Sequence, residues 1–231
     1  MTADPLLELA RLEGVPSAVA AAIDSVDAVL RDRGLRTLAP EAVAAALLTG
    51  ARGNAALSED PDRWLPGAVR LSSELTTLAP VIRVAPAQAL ARAHVLLARG
   101  VVPEESLGRI TADPETAARM AGLTDLLVSS GGTSAVVLAA VVHAELASVA
   151  PFGSGDALVA RAAEHLVLVS AGVDPRGAVP IEAGHAGAPA GYRRALDGYA
   201  SGTLAGVRGW IVHCAGALSR GAELLGTSLR H

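Results

Sequence analysis

Apolar positions recur along this chain at intervals of three and four, the period of a helix with one buried face. Residues 17 to 33, SAVAAAIDSVDAVLRDR, align Val19, Ile23, Val26 and Leu30, with Ser17 as cap and Gly34 as stop. Pro40 opens a second helix, EAVAAALLTG, closed at Gly50. Asp60 and Pro61 open a third, which Pro66 is expected to kink before it runs on through VRLSSELTTL. A fourth, AQALARAHVLLAR, follows Pro86 and ends at Gly100. A fifth, ETAARMAG, follows Asp113 and Pro114 and precedes the loop SSGG at 129 to 132. Two more are expected over about 190 to 200 and 204 to 225. Nothing alternates with period two for long enough to make a strand, and alanine stands where a sheet would want valine and isoleucine. The pattern predicts an all-α, multi-helix bundle.

In one stretch the polar face disappears. From Thr133 to Val149 the only ionisable side chains are His143 and Glu145, so this helix must be enclosed by others and reads as the central one. Pro151, Gly153 and Gly155 then break the chain. Asp156 suits an N-cap for DALVARAAEHLVLVSAG, which Gly172 stops. Phe152 is expected to bury its ring between the two helices of this central helix-turn-helix. A glycine-containing loop that runs into a helix start aims several N–H groups at one point, a common way to hold phosphate. A plain helix-turn-helix corner is the alternative. After this pair, the Gly/Pro-rich segment 173 to 191 reads as a long loop over the pocket, with His185 mobile among glycines. Residues 1 to 80 read as an N-terminal helical lobe, separate or part of the same domain, and 81 to 231 as the main helical domain.

Composition narrows the function classes. The 231 residues are 51% apolar, enough to bury a sizeable core, with a formal net charge of −4. Every basic residue other than histidine is arginine, scattered at helical spacings, which argues against a nucleic-acid surface. Cys214 stands alone, so no internal disulfide and no thiolate metal site is expected, and a reduced cytoplasmic setting fits. The start, MTADPLLELARLEG, lacks the pattern of a secretory signal, and no apolar run is long enough for a membrane span. Sparse charge suggests apolar surface covered by a second copy, so a homo-oligomer is expected. Two further motifs are set aside. His143-Ala144-Glu145 has the H-x-E form of zinc deaminases, but no P-C-x-x-C follows. Gly153-x-Gly155 lacks the third glycine and the preceding strand of a dinucleotide fingerprint.

The segment VHAELASVAPFGSGDALVAR resembles the Fic/Doc signature, H-P-F-x-[DE]-G-N-G-R-x-x-R, preceded by a helix often written H-x-x-F-x-x-I. Pro151, Phe152, Gly155 and Arg161 match the core, and His143 falls on the upstream histidine. Ala150 stands at the family's catalytic histidine, Ser154 at its metal-binding acid, Asp156 at its asparagine, Ala157 at its second glycine and Leu158 at its first arginine. GYRRALDGYASGTLAGVRGWIVHCAGAL resembles the family's closing helices. ALLTGARGN, residues 46 to 54, resembles its inhibitory-helix motif S-S-x-I-E-G-N, with Thr49, Gly53 and Asn54 in register and Arg52 at the glutamate.

The resemblance implies an enzyme that moves AMP from ATP onto a target protein's hydroxyl, with ATP and magnesium as cofactors and a protein as partner. Such chemistry rests on positioning and charge neutralisation. Loss of a general base alone costs on the order of 10²–10⁴ in rate, and Ala150 cannot take a proton. No catalytic residue and no metal ligand is therefore assigned. The phosphate turn, Pro151, Phe152, Gly153, Ser154, Gly155 and Asp156 with Arg161, remains as a ligand-binding candidate, although the Asp156 carboxylate would compete with phosphate there. The family's substrate-docking hairpin has no evident strand pair in residues 100 to 132. The favoured expectation is an inactive Fic-like protein that binds or assembles, with neither nucleic acid nor membrane as partner. The alternative is an active transferase with a relocated base, His185 or His143.

Overall fold

A computed structural model describes residues 5–31, 40–130 and 132–229. The described residues form twelve α-helices: α1 (Pro5–Leu9), α2 (Val15–Arg31), α3 (Pro40–Ala56), α4 (Pro61–Ser73), α5 (Leu75–Ile82), α6 (Pro86–Ala98), α7 (Pro114–Ser129), α8 (Ala135–Val149), α9 (Asp156–Ser170), α10 (Ile181–Ala186), α11 (Pro189–Ala200) and α12 (Leu204–Ser228). Among those residues the only β-type pairing is an isolated bridge between Arg99 and Val102, so the all-α expectation holds. The expected stop at Gly34 and one glycine of the 129 to 132 loop, at 131, lie outside the described residues.

Several helix starts follow from cap chemistry. Asp60 accepts the Arg63 N–H with Pro61 in the first turn, and Asp113 accepts the Thr116 N–H with Pro114 likewise. Thr203 caps α12 through the Gly206 N–H. Other expectations are corrected. Pro66 lies inside α4, but the helix expected to run on through VRLSSELTTL is broken at Glu74. Gly50 does not stop α3, which continues to Ala56. The reason is contact: a Cβ on Gly53 would lie 2.4 Å from the Ala183 Cα of α10, and one on Gly184 would lie 2.0 Å from the Ala217 carbonyl of α12. Glycine on α3 and α10 therefore lets three helix backbones approach closely.

Helices α8 and α9 pack side by side at the centre. Nearly every residue from Val136 to Leu146 is buried, as are most of α9. Around them, α12 packs on α2, α8, α10 and α11, α3 on α4 and α10, and α5 on α6 and α9. The segment read as a long loop after α9 stays non-helical over residues 173–180 and then folds into α10 and the start of α11. No described helix is long and apolar enough to cross a membrane.

Candidate functional site

The turn between α8 and α9 is shaped by its backbone. Ala150 closes α8 with φ +48°, the one non-glycine among the described residues in the left-handed region, and Gly153 and Gly155 follow at +72° and +68°. The chain reverses in six residues, and Gly153 N–H returns to the Ala150 carbonyl at 3.2 Å. Gly155, not Asp156, takes the cap position of α9. The Asp156 side chain points back instead, and its Oδ1 accepts the Phe152 N–H at 2.7 Å. Burial raises this carboxyl to about 6, against the pull of the amides at Phe152, Asp156, Gly153 and Ser154. Amide donors in the turn thus serve a carboxylate of the same chain.

Neighbouring helices close on the turn. A Cβ on Gly155 would lie 2.9 Å from the edge of the Trp64 indole of α4 and 3.1 Å from Leu97 of α6. The Phe152 ring, expected between the two central helices, stacks instead on His94 of α6 with centroids 4.3 Å apart. His94 is fully buried; its Nδ1 accepts the Gly108 N–H at 2.9 Å, while its Nε2 has no partner of good geometry. Burial lowers its pKa, and the Ser154 backbone offsets this only partly. On the outer side of Phe152 a cavity of about 310 Å³ lies among Leu90, Gly108, Ile110, Met120 and Thr124. No charged side chain lines it.

Arg161, the one arginine matched to the phosphate-binding pattern, is 1% exposed. Its Nε donates to the Asn54 Oδ1 at 2.7 Å, one terminal nitrogen to the Asn54 carbonyl at 3.1 Å and the other to the Tyr192 hydroxyl at 3.0 Å. It ties α9 to α3 and α11. The α3 segment that resembles an inhibitory helix therefore does meet the signature arginine, through Asn54.

His143 and His185 lie deeper still, both 0% exposed. His185 is no mobile loop residue; it sits in α10. Both face Glu164 of α9: His143 Nδ1 at 2.5 Å and His185 Nε2 at 2.8 Å from Oε2. Burial holds both imidazoles neutral, with pKa values lowered to about 4 for His143 and about 3 for His185. The donors then run in one sense. Arg161 donates to the Tyr192 oxygen, Tyr192 O–H to His143 Nε2 at 3.0 Å, and His143 Nδ1–H to Glu164. From the other side His213 Nε2–H donates to His185 Nδ1 at 3.2 Å, and His185 Nε2–H to Glu164. Trp210 packs edge-on against His143, its Nε1–H bound to the Ala140 carbonyl at 2.7 Å. Cys214 of α12 is fully buried beside the same carboxylate.

A second buried group lies one residue along α9. His165 sits between Glu182 at 3.0 Å and Asp174 at 3.2 Å. Burial opposes its charge, but the two carboxylates overcome that and raise it to about 10, so it is an imidazolium at neutral pH. Asp174 also accepts the Ala178 and Val179 amides, which fastens the segment after α9 to the core.

No family model and no curated protein matches the chain. The crystal structure of a Fic family protein from Desulfovibrio desulfuricans G20 is similar to it over 90% of this chain and 73% of that one, with a TM-score of 0.66 and 17% sequence identity. The fold is Fic-like. Within this Fic-like chain residues 150–155 form the turn between α8 and α9, whereas His143, His185 and Arg161 are sealed in the core. The residues present do not fit the magnesium ion that the resemblance implies: Ser154 offers only a hydroxyl in the acid's place, and Asp156 is committed to the Phe152 amide. Sequence reasoning missed His94, Glu164 and Cys214. Glu164 was the findable one, a carboxylate inside the apolar run of α9, where a lone charge must have a partner.

Proposed function

We propose that this Fic-like protein is a catalytically inactive pseudoenzyme that retains the helical scaffold for binding or assembly, with a protein partner or a second copy of itself. The observation that carries the reading is the Asp156 carboxylate turned onto the Phe152 amide, where the family pattern would receive phosphate. Two unit negative charges about 4 Å apart repel by roughly 4 kcal/mol at an effective dielectric near 20. Ala150 supplies no base, Leu158 no charge, and Arg161 is spent on Asn54 and Tyr192. Burial weighs against the alternative of a transferase with a relocated histidine, because neither His143 nor His185 is open to a substrate hydroxyl.

The experiment is incubation of the purified protein with labelled ATP, magnesium and lysate. The expected result is no label above background on the protein or on any target. Labelling that disappears in His185→Ala, with an unchanged melting temperature, would instead establish the active alternative.

A further inference from the structure

Four side chains with metal-binding atoms meet at one point in the core, and neither the Fic-like signature nor the proposed function uses them as a set. His143 comes from α8, Glu164 from α9, His185 from α10 and Cys214 from α12. All four are buried, and one ligand atom from each lies within 4.8 Å of every other. Cysteine count argues against a thiolate site, yet Cys214 lies beside two imidazoles and a carboxylate.

We propose that His143 Nδ1, His185 Nε2, Glu164 Oε2 and Cys214 Sγ form a structural site for a divalent transition-metal ion of the zinc class. Tetrahedral bonds of about 2.0–2.3 Å place ligand atoms roughly 3.4 Å apart. The separations here, from 2.5 Å between His143 and Glu164 up to the 4.8 Å limit, straddle that value, so small side-chain rotations suffice. The set of two nitrogens, one carboxylate oxygen and one sulfur suits zinc and poorly suits magnesium or calcium. Carboxylate and thiolate together neutralise a divalent charge, which a buried site requires.

The surroundings match a metal site's outer layer. The far nitrogen of each imidazole already faces an oriented partner, the Tyr192 hydroxyl for His143 and His213 Nε2 for His185. On metal entry each ligating ring keeps one proton but carries it on the far nitrogen: the Tyr192 hydroxyl turns to accept from His143 Nε2–H, and His213 moves its own proton from Nε2 to Nδ1 and accepts from His185 Nδ1–H. No imidazole gains or loses a proton, and the Cys214 thiol gives its proton to solvent as the chain folds around the ion. With four protein ligands and no open position, the ion would cross-link α8, α9, α10 and α12 rather than activate water. Because the site is enclosed, loading belongs to folding.

The test unfolds the full-length protein in guanidinium with a chelator and refolds it with zinc, with cobalt or without metal. Metal retained after desalting is then measured. The expected result is one ion per chain and a cobalt spectrum with tetrahedral bands and a sulfur-to-cobalt charge-transfer band. Cys214→Ser should lose the charge-transfer band, and His213→Gln should weaken retention about 10- to 100-fold without abolishing the spectrum. Refolded wild-type protein with native helicity that keeps far less than one ion per chain would overturn the proposal. So would cobalt retained with the same spectrum by Cys214→Ser. Should refolding fail, protein expressed in zinc-supplemented cells gives the same reading, and a content far below one ion per chain there is equally fatal.

Discussion

At the outer end of α8 and α9, Ala150 and Gly153 are exposed, and the turn holds one ionisable side chain, Asp156, directed at its own backbone. Two turns deeper on the same helices, His143 and Glu164 are fully enclosed yet bonded to four further polar side chains within a few ångströms, directly or through one another. The exposed end has the tight glycine turn and little charge; at the enclosed end abundant ionisable chemistry is buried, with only His213 partly exposed among these side chains. The contrast separates two reasons for a residue to match a signature. Pro151 and Gly155 match because the backbone must turn. Arg161 matches because three helices are fastened to its guanidinium.

The largest expected effect tests that role for Arg161. Arg161→Ala leaves Asn54 and the Tyr192 hydroxyl without their donor and opens a void, and should cost about 3–5 kcal/mol in chemical denaturation. An arginine kept for a ligand would cost far less. Asp156→Asn acts at the turn. The folded protein holds the Asp156 proton more tightly than the unfolded chain does, about 6 against 3.8, so this group's contribution falls as pH rises between those values and stays low above them. Melting curves should show Asp156→Asn more stable than wild type above pH 6, with the gap narrowing toward pH 4. The smallest effect is at Ala150. Release of its left-handed strain by Ala150→Gly, offset by the glycine's greater unfolded freedom, should stabilise by about 1 kcal/mol or less. A loss of stability would mean that the Ala150 methyl packs productively.

What was legible in the sequence divides along the same line. Helix starts marked by Asp-Pro pairs, the enclosed central helix and the turn at Pro151 to Gly155 are local or periodic signals, and each appears where the pattern put it. Gly50 misled because glycine reads as a stop, while here Gly50 and Gly53 make room for α10, a neighbour about 130 residues away in the chain. His185 misled for a related reason. Glycines and prolines around it suggest a loop, but burial beside Glu164 and Trp210 turns the segment into a short packed helix. The cluster of His143, Glu164, His185 and Cys214 draws one residue from each of four helices and leaves no spacing motif. The direction of Asp156, forward as a cap or backward onto Phe152, and the break at Glu74 were local questions that sequence answered wrongly.

Calorimetric titration of the wild-type protein with ATP and magnesium tests the occupied turn most directly. No saturable heat is expected up to millimolar nucleotide. A one-site isotherm in the micromolar range would contradict it.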